Sequence, residues 1–168
     1  MYELENWSEE LIELFSVYIR LKQEYNQFQH MIDVSIKKVK TEEMFIKILE
    51  KFYEFYNLLF NLLDKLWKYN KEDISFLGLE DKIKLFKEEF IGYESIFNYY
   101  FKLKVALDKI KKKDYKTIHE FKKDIGIVFK LDDKEISLDI KELRVIDKKM
   151  KDFFDLLEKR LKELIKKH

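Results

Sequence analysis

Histidines and carboxylates are the side chains here that could hold a metal or move a proton, so their spacing comes first. The chain has three histidines, His30, His119 and His168. Helical di-metal sites need Glu-x-x-His on two helices and an inward glutamate on each of the others. The residues three before the histidines are Gln27, Lys116 and Ile165, so that pairing is absent. Glu50, Glu54 and Glu94 fall outside the apolar register and read as solvated faces. His30 lies on the polar side of its expected helix, His119 in a helix first turn, and His168 at the chain end. Cysteine is absent, which excludes disulfides, thiol nucleophiles and cysteine-ligated metals.

Nucleophilic and phosphate-binding motifs fare no better. Gly92-Tyr93-Glu94-Ser95 lacks the second glycine of a nucleophile elbow. The glycines Gly78, Gly92 and Gly126 are too scattered to cradle a phosphate. Arg20 and His30 are too far apart for the short Arg-to-His spacing of HEPN-type ribonucleases, and Arg160 with His168 fits no better. The residues therefore point to a non-enzymatic protein with no catalytic, cofactor or metal site.

Two other chemistries have candidates. Lysine runs occupy 37–40, 109–116 and 159–167, and phosphate contacts would be sought at Lys111, Lys112 and Lys113, beside Tyr115. Each run falls at a helix C-terminus, where cations favour the dipole. Net charge is only +1 although 40% of residues are charged, whereas nucleic-acid binders usually show a basic excess. In an antiparallel bundle, acidic helix starts and basic finishes would offset each other at both ends and leave no basic pole. Nucleic acid is thus the lesser expectation.

The aromatic residues are the second set. They make up 16% of the chain, and Phe52, Tyr53, Tyr56, Phe60, Tyr93, Phe97 and Tyr100 form more apolar surface than one bundle covers. Surplus aromatic surface marks an interface. An interaction or scaffold protein, self-associating through these residues, is the leading expectation. One alternative makes the 118–131 segment a lid over an aromatic-lined cavity for a small molecule or lipid. Another is a nucleic-acid-contacting subunit of a larger complex.

The elements that must position these residues are helices. Proline is absent and glycine scarce, so little interrupts them. Ser8 with Glu9 and Glu10 predicts the first N-terminus. The seam Leu11, Leu14, Tyr18, Leu21, Tyr25, Phe28, Ile32 and Val39 follows, broken only by Ser35. Thr41 predicts the second start, and the helix it opens is apolar most of the way round, as an enclosed helix is. A loop over 70–79 leads to a third helix over 80–112, with Gly92 as a close contact or mild bend.

Thr117 to Glu120 matches a capping box, which predicts a short helix ending at Gly126. The run Ile127 to Leu131 reads as extended but too solitary for a sheet. A fourth long helix is expected from Ser137 or Asp139, with Asp139 and Glu142 as another capping pair. The 168 residues thus predict one all-α domain, 1–168: an antiparallel bundle of four long helices, one short helix and an irregular segment. The acidic N-terminus has no leader pattern and no run reaches 18 uncharged apolar residues, so a cytoplasmic protein without a membrane span is expected. Lysine and glutamate dominate the charges, a usage shared by hyperthermophiles and AT-rich genomes.

Overall fold

Ser8 opens α1 (Glu9–His30), its hydroxyl accepting the Leu11 N–H at 3.2 Å. The computed structural model of the chain describes residues 7–166. Most of the N-terminal stretch weighed as a leader, residues 1–6, and His168 lie outside them. The helix α1 runs on through a π turn, Met31–Ser35, into a last turn, Ile36–Lys38. A π turn widens the helix by one residue. Ile36 thereby faces the core at 2% exposure, and Val39, expected in the seam, is 45% exposed.

Thr41 caps α2 (Glu42–Asn70) by accepting the Met44 N–H at 3.2 Å. This helix meets the other helices on most sides, while a stripe of Glu43, Lys47, Glu50, Glu54, Asn57 and Asn61 stays exposed. Phe28 of α1 stacks on Phe52 at 4.2 Å between ring centroids. Phe86 and Tyr100 meet Phe60, and Phe154 meets Phe55.

The single helix expected over 80–112 is two: α3 (Leu79–Glu89) and α4 (Glu94–Lys111). Gly92 adopts φ +96°, a left-handed conformation that a helix interior excludes. The Glu94 carboxylate accepts the Gly92 N–H at 3.0 Å and fixes the break. The apolar rhythm survives it because Phe86, Phe90 and Phe97 all reach the same core.

The irregular segment holds a sheet instead of a helix. β1 (Lys116–Ile118), β2 (Gly126–Leu131) and β3 (Lys134–Asp139) pair antiparallel in the order β1-β2-β3. Thr117, expected as an N-cap, pairs with Ile127 inside β1. The β2–β3 turn is Asp132-Asp133, both with positive φ (51° and 65°), as a two-residue hairpin turn requires. Opposed residues share a face, so Ile127 with Leu138 and Phe129 with Ile136 present one apolar surface to the core.

Finally α5 (Ile140–Lys166) begins where β3 ends. Asp139 accepts the Glu142 N–H at 2.9 Å, half of the expected capping box. The Glu142 carboxylate does not return the bond; it takes the Lys102 ammonium at 2.6 and 2.7 Å. Among the described residues the chain is mostly helical, with five helices and a small sheet. None of those helices is long and apolar enough to cross a membrane.

Candidate functional site

At the end of the molecule where α1 finishes and α2 and α5 begin, lysines gather in one groove and glutamates in its neighbour. Its geometry comes from backbone ties. Phe121 donates its N–H to the Lys40 carbonyl at 2.7 Å, so the 119–125 loop lies along the α1–α2 connection. The Glu120 carboxylate accepts the Glu42 N–H at 2.9 Å and joins Thr41 in capping α2. Glu120 therefore does cap a helix, but a helix 78 residues earlier in the chain, and not one that follows it. Ile140 donates to the Ile125 carbonyl at 3.0 Å, which fixes the loop to the start of α5. Tyr115 completes the frame by donating to Glu42, a bond that pushes its phenol up to about 12.

These ties form a ridge of residues 40–41 and 120–122, with a groove on each side. One groove, of about 400 Å³, has an apolar floor of Ile36, Ile125 and Ile140. Around it stand Lys37, Lys40, Lys122, Lys123, Lys141 and Arg144, and among the described residues no carboxylate lines it. The other groove, shallower and more open, is lined by Glu42, Glu43, Glu50 and Glu120 with Lys47.

Each groove draws its sign from local structure. Lys37 and Lys40 finish α1, where cations suit the dipole. Lys141 and Arg144 stand in the opening turns of α5, where the dipole disfavours them. Glu142, the carboxylate of that turn, is drawn away by Lys102. Arg144 donates to the Ile32 carbonyl in the π turn at 3.2 Å, which holds its guanidinium beside α1. Among the described residues, none of the six cations is in an ion pair, although Lys40 donates to the Lys37 carbonyl at 2.6 Å. Like charges gathered round one groove repel each other. An anion in the groove relieves that repulsion.

The expected candidates lie elsewhere. Phe52, Tyr56, Phe60, Phe97 and Tyr100 are at most 5% exposed and pack inside the chain; only Tyr53 and Tyr93 are partly accessible. Tyr53 stacks on Tyr100, and Tyr56 and Phe60 meet the same ring, so aromatic rings fill the space between α2 and α4. The 118–131 segment lies at the end of the helices and supplies one wall of the basic groove.

Lys111, Lys112 and Lys113 cap α4. Lys113 takes φ 57°, its N–H bonds the Ile110 carbonyl, and the Asp114 N–H bonds the Lys109 carbonyl. That is a Schellman closure, in which glycine usually holds the left-handed place. Lys112 pairs with Asp108 at 3.1 Å. His30 is exposed, and His119 is exposed at φ 53° with Asp124 at 3.8 Å.

Sequence reasoning missed two features. The first is the segregation of charge at this end, where acidic starts and basic finishes are separated by the ridge and do not mix. Its signal was Lys141 and Arg144, cations at a helix start. The second is Asp147, 4% exposed on α5. Its carboxylate accepts the Tyr25 hydroxyl at 2.8 Å and the Gln29 amide, joining α5 to α1. Burial lifts the Asp147 carboxyl above its ordinary range and raises the Tyr25 phenol too. Nothing in its immediate spacing marks it beside Ile146 in the seam. Comparison with known proteins adds no relative: no protein family, curated protein or solved structure matches this chain.

Proposed function

We propose that the protein is a non-enzymatic, cytoplasmic binding module that recognises an anionic group of a partner through the basic groove. The observation that carries this reading is the set of six cations, none in an ion pair among the described residues, on an apolar floor in a chain whose net charge is only +1. The interaction surface on this reading is the ridge end of the molecule, and not the aromatic faces of α2 and α4. The apolar floor favours a group with some hydrocarbon of its own, such as a glutamate side chain, over a bare ion.

Fluorescence anisotropy with a labelled poly-glutamate peptide tests the reading. Lys122→Glu with Lys123→Glu is expected to weaken binding by about tenfold or more at low salt. Lys111→Glu with Lys112→Glu is expected to change it by less than about threefold. Equal loss in both variants, or no binding at low salt, sinks the idea. A nucleic-acid strand is the second reading, favoured by Phe121, a 72% exposed ring beside the lysines on which a base could stack. Much tighter binding of a single-stranded oligonucleotide, lost in Phe121→Ala, would point to it.

A further inference from the structure

We propose that the anionic partner is a second copy of this chain, docked about a two-fold axis along the ridge so that the acidic groove of each copy faces the basic groove of the other. The proposal rests on reading the basic groove as an anion site. It adds the identity of the occupant, and charge complementarity carries it.

The two grooves adjoin and have opposite sign. The chain passes from one to the other twice, at Lys40 to Thr41 and again at Glu120 to Lys122. A two-fold interface presents the same patch twice, so it must be complementary to itself. A patch with cations on one side of a ridge and carboxylates on the other meets that condition. Rotated by half a turn, each acidic side faces a basic one.

The ridge also carries an apolar centre. Phe121 is 72% exposed and Val39, on the connection beside it, is 45% exposed. An apolar centre within a charged rim is the usual anatomy of an interface. Phe121 holds φ 67°, which a bulky residue adopts at a cost unless something else favours its presence there. A contact made by the ring supplies that reason. A standard interface takes about 800 Å² from each partner, less than a tenth of the chain's 10224 Å² surface.

Sedimentation of the full-length protein at low and high salt tests the proposal, with three variants. Phe121→Asn removes the ring at a position where asparagine tolerates the backbone, so it is expected to melt no lower than the wild type and to sediment as a monomer. Glu43→Lys with Glu50→Lys reverses the acidic groove; Lys122→Glu with Lys123→Glu reverses the basic one. Each alone is expected to weaken self-association by about tenfold or more. Mixed, the two variants are complementary and are expected to recover the dimer as a heterodimer.

A wild type that stays monomeric at the highest attainable concentration overturns the proposal. So does a Phe121→Asn protein that dimerises like the wild type, or a mixture that stays monomeric. If the wild type is monomeric yet binds poly-glutamate through Lys122 and Lys123, the second copy is wrong and the anion site stands. If it neither self-associates nor binds the peptide, both fail.

Discussion

Asp147 gives the sharpest test of how the helices are held together. Its carboxylate is buried between α5 and α1, where it accepts the Tyr25 hydroxyl at 2.8 Å and the Gln29 amide. Asp147→Ala removes both acceptors. Gln29 is partly exposed and can turn to water, but Tyr25 is only 7% exposed. A buried hydroxyl left without a partner costs about 1–3 kcal/mol. The Asp147 backbone carbonyl, 3.4 Å from the same hydroxyl, can take part of that bond. The expected loss is therefore about 1–2 kcal/mol, or a fall in Tm of roughly 2–8 °C for a chain of this size.

Asp147→Asn keeps an acceptor and discards the buried charge, so it should lie within about 1 kcal/mol of the wild type at neutral pH. The pH dependence separates the two effects. Burial holds the folded carboxyl above its ordinary value of 3.8, so the folded state takes up the proton before the unfolded chain does. Stability from this group is therefore gained as pH falls through the raised folded value and is complete below 3.8. It is absent at higher pH. Urea unfolding followed by circular dichroism, at neutral and mildly acidic pH, measures it. The wild type should gain on Asp147→Asn as pH falls across that window. A constant difference refutes the raised ionisation. Asp147→Asn falling as far as Asp147→Ala refutes the account based on the Tyr25 hydrogen bond.

Other substitutions test the frame around the site. Gly126→Ala places a Cβ 2.6 Å from the Leu138 carbonyl oxygen and 2.8 Å from the Asp139 Cα; it should cost about 1–3 kcal/mol in urea unfolding and weaken peptide binding by loosening β3 from β2. Tyr56→Phe loses a 2.6 Å bond to the Ile96 carbonyl and should cost about 1–2 kcal/mol, whereas the Tyr99 hydroxyl has no hydrogen bond among the described residues, so calorimetry should find Tyr99→Phe neutral or stabilising. Gly92→Ala and Lys113→Gly should act in opposite directions, by about 1 kcal/mol each. The first forces a side chain to φ +96°, where its Cβ meets nothing; the second relieves a left-handed lysine at φ 57°.

The helices were legible because their caps and seams are local. Ser8 and Thr41 cap as expected, and every seam residue of α1 from Leu11 to Ile32 is buried. Ser35, the lone interruption in that seam, marks the π turn, where the register slips to Ile36. The break at Gly92 was hidden because Phe90 and Phe97 stay in phase with one core on both sides of it. The sheet was hidden for the opposite reason. β1 has only three residues, and its partner lies beyond the 119–125 loop, so no local period reveals the pairing. The site suffered most. Lysine runs can be read along the chain, but the carboxylate-free groove draws on three distant segments, and only folding brings Lys37, Lys122 and Arg144 together.

That distance also bears on the order of assembly. α1 and α2 are consecutive and can find each other early, because the loop to be closed between them is short. The groove cannot exist until α5 returns, more than a hundred residues after Ile36, to set Ile140 and Arg144 against the end of α1. Its walls are therefore complete only in molecules whose last helix has docked. A ligand held there binds the finished fold alone and must raise the melting temperature, by an amount that grows with the logarithm of its free concentration once that exceeds Kd. An intermediate lacking the α5 contact, still exposing apolar surface, is left without that grip.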